Sequence, residues 1–305
     1  MIVVDGKVLV LMSLRPKDFD GIVGQESVKQ CLRIAIQSAK KRGDVLAHTL
    51  WSGPPGTGKT TLALATAHEL GSEILLANGG NINKIKDITP YLFRMKRGHV
   101  LFIDEVHRIN RKVQESLYTV MEDSRLDIAK GCQSINFEPF TIIGATTEAG
   151  MLLRPFYDRF VHHLQLESYT IEELSKIIKI NCRKLKINAT DTAIRDMAGR
   201  SRFTPRIANS ILQFVRDYAL VSVGSNTIYD TQVQEAMDLK KIDERGLDSN
   251  DRKYIHLLKI AKKPLGVRTI AASTGMSVET IEHQIEPYLL KLGMVEKTSK
   301  GRTLV

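Results

Sequence analysis

With 305 residues, 43% of them hydrophobic and 26% charged, the chain has the composition of a soluble globular protein large enough for two or three cores. No stretch supplies the roughly 18 uninterrupted apolar residues of a membrane span. MIVVDGKVLVLM at the start lacks the basic and small-residue signals of a leader peptide, so a cytoplasmic protein with no membrane partner is expected. The formal net charge is +10, and residues 251–305 carry ten basic against five acidic side chains, a bias that suits a nucleic-acid partner or a solvated charged face.

In chain order, residues 1–13 read as an N-terminal arm, with a short strand pair turning at Asp5-Gly6 or a poorly ordered segment expected. Next, HTLWSG, ILLAN, HVLFID, FTIIGAT and VHHLQLE are apolar runs that alternate with helical patterns such as TTLALATAHEL. That alternation predicts an α/β core over residues 14–168, a parallel sheet with helices on both faces. From residue 169 to 243 the period becomes helical throughout (TIEELSKIIKINCRKL, TDTAIRDMAGRS, TPRIANSILQFVRDYALV), which predicts a small helical domain. After the polar break ERGLDSNDR, residues 244–305 pair helical stretches with GMVEKTSKGRTLV, read as strand, basic turn at Gly301 and strand. Helix–turn–helix plus hairpin is a winged-helix pattern. Cys31, Cys132 and Cys182 lie far apart without metal-ligand spacing and read as free thiols. The adjacent His162 and His163 would face opposite sides of a strand, which disfavours a shared metal.

GPPGTGKTT, residues 53–61, follows an apolar strand and opens a helix, the context a P-loop needs. Its glycines, Gly56 and Gly58 among them, let successive backbone N–H groups face phosphates at a helix N-terminus. Lys59 reaches the β/γ-phosphates and the Thr60 hydroxyl ligates Mg²⁺, with Thr61 beside it. VLFIDE places Asp104 to hold Mg²⁺ and Glu105 to polarise an attacking water, which favours ATP hydrolysis over transfer to an acceptor. Thr146 and Thr147 end the strand in GATT, where a hydroxyl could orient that water.

Two arginines remain. In SRFTPRIAN, Thr204 caps a helix, Pro205 suits its first position and Arg206 follows, so Arg206 can serve the same chain's phosphates. Arg159, in DRF, lies near the domain edge and suits a neighbour's γ-phosphate. A finger that acts on the next subunit requires a head-to-tail contact, and such contacts close into rings.

Together the P-loop, IDE, GATT, DRF and TPR segments resemble the AAA+ ATPases and, within them, the RuvB family of Holliday-junction branch-migration motors. The likeness runs from LRPKDFDGIVGQ almost to the end, through YTVMEDSRLDI, TPRIAN, GLDSNDRKY, TIEHQIEPYLLKLG and KTSKGR. It implies an AAA+ core, a helical lid and a DNA-binding winged helix, with ATP and Mg²⁺ as ligands. It implies that Leu14, Arg15, Ile22 and Val23 hold the adenine end and that Glu122, Asp123 and Ser124 line a nucleotide contact at the subunit interface. Tyr169 and Arg206, the sensor-2 arginine, are then expected on the nucleotide, with Thr146 as sensor 1 and Arg159 as the finger. Lys297 and Arg302, with Lys300 in the same basic turn, are expected on DNA phosphates.

The chain departs from the family at several points. Glu148, Tyr157 and Val278 stand where arginine is usual, Lys297 replaces an arginine, and the segment 127–140 is shorter than the family's RuvA-docking hairpin. The resemblance implies an ATP-driven motor, assembled as a homo-oligomeric hexamer ring on double-stranded DNA at four-way junctions, with a RuvA-type junction-binding partner. A replication loader or initiator of the same fold, and an ATP-switched winged-helix regulator, are the alternatives.

Overall fold

The computed structural model describes residues 3–4, 7–8, 14–129 and 133–305, with side chains over 14–126 and 134–305. Cys132 and the tip of the 127–140 segment lie outside the described residues. The chain divides into two compact units, residues 1–173 with 204–206, and residues 174–203 with 207–305. Among the described residues, no helix is long and apolar enough to cross a membrane.

The first unit is built on a five-stranded parallel sheet in the order Ile74–Asn78, Val100–Asp104, Thr141–Thr146, Thr49–Ser52, His162–Gln165. Neighbouring residues of each inner strand fall into opposite cores. Trp51, Phe102 and Ile143 pack with Leu32, Ile36 and Leu62, whereas Leu50, Leu101, Ile103 and Ile142 pack with Val113, Leu117, Phe156 and Phe160. A period of two with both sides apolar is what a sheet covered on both faces requires. Glu26–Arg42 and Lys59–Leu70 supply helices to the first core, and Ile85–Leu92 and Arg111–Asp123 to the second. The expected P-loop fold class is therefore present.

The strand pair expected at the start is Val3–Val4 against Lys7–Val8, antiparallel. Arg125–Ala129 and Gln133–Asn136 form a second antiparallel pair, with a register shift between Asp127 and Ala129. In the second unit, the helices Asp191–Gly199, Pro205–Ser222 and Asp230–Leu239 accompany a two-residue parallel pairing, Asn188–Ala189 with Thr227–Ile228.

The winged helix follows in the same unit. Asp248 caps the helix Ser249–Ala261 through the backbone N–H groups of Asn250 and Asp251, and Asp251 returns the bond to the Asp248 N–H. Val267–Thr274 leads to a helical run over 278–291 whose middle, Ile281–Ile285, is a π-helical turn. Pro287 explains it: proline has no N–H to donate and its ring crowds the carbonyl four residues back, so the helix widens by one residue ahead of it. The wing is Val295–Thr298 against Gly301–Leu304. Gly301 has φ +133°, and a Cβ there would come within 2.5 Å of the Leu265 carbonyl oxygen. Only glycine allows the bridge between Leu265 and Arg302 to close the wing's third edge.

Candidate nucleotide-binding active site

The P-loop leaves the carboxyl end of the strand Thr49–Ser52, which lies between Thr141–Thr146 and His162–Gln165, where α/β sheets open a crevice. Gly53, Gly56 and Gly58 have φ values of +148°, +80° and +97°, in the region open to glycine. At Gly53 a side chain would strike the Leu166 carbonyl oxygen at 2.5 Å. The Lys59 ammonium, which opens the helix, donates to the carbonyls of Gly53 (2.8 Å) and Pro54 (3.1 Å). Burial holds its pKa below the ordinary lysine value, against the opposing pull of Glu105 and Asp104. Thr60 and Thr61 are half-buried in the same first turn.

Asp104 ends its strand opposite Asn78. Burial, and then the neighbouring Glu105 charge, hold its carboxyl above the usual range, with Lys59 acting the other way. A partly buried carboxylate in that state favours a cation beside it, and a Thr60 hydroxyl with an Asp104 carboxylate is a hard oxygen donor pair, so the residues fit Mg²⁺. Glu105 has φ +49°, a left-handed conformation for a non-glycine residue. Its carbonyl sits against Gly79, where a Cβ would come within 2.3 Å of it. Thr147 donates to Glu105 Oε2 at 3.3 Å, and Thr146 is fully buried on the neighbouring strand, its Oγ1 accepting the Glu148 N–H at 2.9 Å.

Thr204 and Arg206 also reach this place. Their Cβ atoms lie 3.3 and 3.5 Å from where a Gly56 Cβ would stand, and the Arg206 charge acts on both Lys59 and Asp104. Pro205 lies between them at the first helical position. Tyr169 packs toward Gly58 and Gly24, and burial raises its phenol to about 12. Ile22 is buried and its carbonyl accepts from Lys29 at 2.7 Å, while Leu14 and Val23 are half-buried and Arg15 is exposed. Gln25, which no motif singles out, ties that segment down: its amide donates to the Glu167 carbonyl (2.8 Å) and accepts the Glu167 N–H (3.1 Å).

Arg159 belongs to a different cluster. Phe160 is buried under Gly144, which anchors the turn, and Arg159 donates to Tyr118 Oη at 2.9 Å, lies 4.6 Å over the Tyr118 ring and pairs with Glu122. Asp123 and Ser124 follow Glu122, Ser124 closing the helix at φ +51°. Gln114 is the residue that sequence reasoning misses here. It is buried, donates to the Ile109 carbonyl at 2.9 Å and accepts the Leu153 N–H at 3.0 Å, joining the segment after Glu105 to the helix before Arg159. Of the departures, Tyr157 stacks on His163 at 4.3 Å.

The wing cations also have partners. Glu286 is fully buried and takes Lys297 Nζ at 2.7 Å, Arg302 Nε at 2.8 Å and the Tyr254 hydroxyl at 3.1 Å. Burial alone would raise its carboxyl, but Arg302 and Lys297 bring it below the usual value. Arg302 further reaches Glu282 at 3.0 Å, while Lys300 stands exposed at the turn.

Residues 14–166 match the family described as the Holliday junction DNA helicase RuvB P-loop domain. Residues 169–243 match the RuvB AAA lid domain, and residues 244–305 the RuvB C-terminal winged helix domain. The Holliday junction branch migration complex subunit RuvB of Kosmotoga olearia is 44% identical over 305 residues, covering 97% of this chain and 89% of that protein. The subunit of the same description from Campylobacter fetus is 44% identical over 299 residues, covering 96% and 87%. A solved structure of the Thermotoga maritima RuvB Holliday junction branch migration motor aligns with a TM-score of 0.86 at 41% identity, covering 96% of this chain and 95% of that one. Matched in order along all three parts and at this identity, the chain belongs to the RuvB family.

Proposed function

We propose that the protein is an ATP-hydrolysing motor that translocates double-stranded DNA and so drives branch migration at four-way junctions. The observation that carries this reading is the meeting of Lys59, Asp104, Glu105, Thr146 and Arg206 at one end of the sheet, in a chain that also bears a basic wing. ATP binds with its phosphates on the P-loop amides and Lys59, and its adenine toward Leu14, Arg15, Ile22, Val23 and Tyr169. Mg²⁺ is held by Thr60 and Asp104 and supplies charge neutralisation on the phosphate oxygens. Glu105 takes the proton of the attacking water and Thr146 orients it. Arg206 in the same chain meets charge that develops on the transferred phosphate.

Arg159 is the finger for the neighbour's nucleotide, with Glu122, Asp123 and Ser124 on that face, and the subunits form a ring, a hexamer as in the family resemblance. Lys297, Lys300 and Arg302 place the wing on DNA phosphates without reading sequence. A RuvA-type junction-binding protein is the partner, and the cytoplasm the compartment. The test is ATP-driven dissociation of a labelled synthetic four-way junction, with and without a RuvA protein. Dissociation with RuvA supports motor and partner together, and dissociation alone supports the motor but removes the partner. Sound ATP hydrolysis with neither would overturn the motor in favour of a loader.

A further inference from the structure

His107 is a nearly buried imidazole, its side chain 8% exposed, in the turn that follows Glu105. Its Nδ1 lies 2.8 Å from Thr146 Oγ1 and 3.4 Å from Glu105 Oε2. One ring nitrogen therefore stands between the residue that takes the water's proton and the residue that orients the water.

The partners decide the tautomer. An ionised carboxylate only accepts hydrogen bonds, so the approach of Nδ1 to Glu105 is attractive when Nδ1 carries the hydrogen. A hydroxyl oxygen has two lone pairs and one hydrogen. The Glu148 N–H occupies one lone pair of Thr146 Oγ1 at 2.9 Å, and Nδ1–H occupies the second. The Thr146 hydroxyl hydrogen is then left to donate to a third group. Glu105 Oε2 accepts from the Thr147 hydroxyl and lies 3.4 Å from His107 Nδ1, which leaves Oε1 as the oxygen to accept a proton.

We infer that His107 is a positioning residue for ATP hydrolysis: its Nδ1–H frees the Thr146 hydroxyl hydrogen for a partner other than the imidazole and stands beside one oxygen of Glu105 so that the other serves as base. The inference rests on the reading of Glu105 and Thr146 given above. In the step it serves, water gives a proton to Glu105 Oε1 while its oxygen bonds to the γ-phosphorus. The bond from that phosphorus to the bridging oxygen breaks, and ADP takes the electron pair. With the opposite tautomer, the Thr146 hydrogen is spent on the imidazole and Nδ1 repels the carboxylate.

The test uses the full chain with DNA present. His107→Asn keeps an N–H near the Nδ1 position, His107→Gln places its amide nearer Nε2, and His107→Ala removes both. His107→Ala lowers kcat on the order of 10²-fold, the usual cost of misplacing a reacting group, with affinity for a non-hydrolysable ATP analogue within about twofold. His107→Asn restores kcat to within about tenfold of the parent, and His107→Gln does not. Thr146→Ala added to His107→Ala costs little more, because the two act as a unit. Equal kcat in the Asn and Gln variants, or an unchanged kcat in the Ala variant, overturns the inference. Should His107→Ala fail to fold, judged by its melting temperature, the Asn and Gln pair decides alone. Glu105→Gln separates the two readings: if it hydrolyses ATP at the parental rate, the assignment of the base falls and the His107 inference with it. If Glu105→Gln is inactive and His107→Ala is not impaired, only the inference falls.

Discussion

Arg159 is ion-paired to Glu122 of its own chain, at the last turn of the helix Arg111–Asp123, while its guanidinium lies on the Tyr118 ring. The guanidinium is therefore held in a defined place within its own chain. A half-exposed pair of this kind adds little to stability, so its worth lies in geometry. Tyr118→Phe removes the 2.9 Å bond from Arg159, and several-fold lower kcat with unchanged ATP affinity is expected in a steady-state ATPase assay. Arg159→Ala lowers kcat by ~10³ or more. Mixed with Lys59→Ala subunits it regains part of that rate, and no recovery at any ratio removes the trans role.

At the wing, charge splits into two kinds of effect. Lys300→Ala, at the exposed turn, reduces the slope of log Kobs against log salt for duplex DNA by about 0.9, one phosphate contact, whereas Lys297→Ala also takes a cation from Glu286. Arg302→Ala leaves Glu286 buried with a cation lost, and a stability loss on the order of 3 kcal/mol is expected in urea unfolding. A parental midpoint in that variant would assign Arg302 to DNA alone.

His48 makes the first unit acid-sensitive. Its Nδ1 accepts the Ile142 N–H at 2.8 Å, and burial lowers its pKa from 6.5 to about 4. The folded chain thus resists a proton that the unfolded chain accepts. The associated stability is complete above pH 6.5 and lost as pH falls toward 4, up to about 3 kcal/mol. Chemical denaturation across that window gives a flatter pH slope for His48→Asn. An unchanged slope means His48 is not the group that titrates. The same ring lines a pocket of about 300 Å³ with Glu122 and Arg159, so acid loosening is expected on the Arg159 side of the unit.

Gly79→Ala tests the left-handed Glu105 from a distance in sequence. The added methyl would overlap the Glu105 carbonyl oxygen at 2.3 Å, so the backbone that aims the carboxylate must shift. At least tenfold lower kcat is expected, with nucleotide affinity retained in a titration of a fluorescent analogue. Parental kcat would mean that Glu105 is aimed by its side-chain partners rather than by its backbone.

The P-loop, the strand ends at Asp104 and Thr146 and the wing around Gly301 were legible because each is a local rule: glycine spacing, an apolar run, a basic turn. Lys59, Asp104 and Arg206 could be assigned to one site because each sits beside such a rule. Gln25, His107 and Gln114 could not, since each acts by hydrogen bonds to residues that the fold, not the spacing, brings near: Glu167, Thr146 and Leu153. Lys297 and Arg302 were legible as charge but not as partners of Glu286, because one buried carboxylate between them has no sequence pattern.

The π-helical turn at Ile281–Ile285 sets the phase of everything after it. A helix advances about 100° per residue, so removing one residue there would restore an ordinary helix and rotate Glu286 by that angle away from the wing. Backbone bonding would survive such a deletion while the carboxylate lost both its cations. Length in this helix is thus constrained by an electrostatic appointment rather than by the helix itself, and an indel at 281–285 is expected to be far less tolerated than one in the exposed turn at Ser299-Lys300.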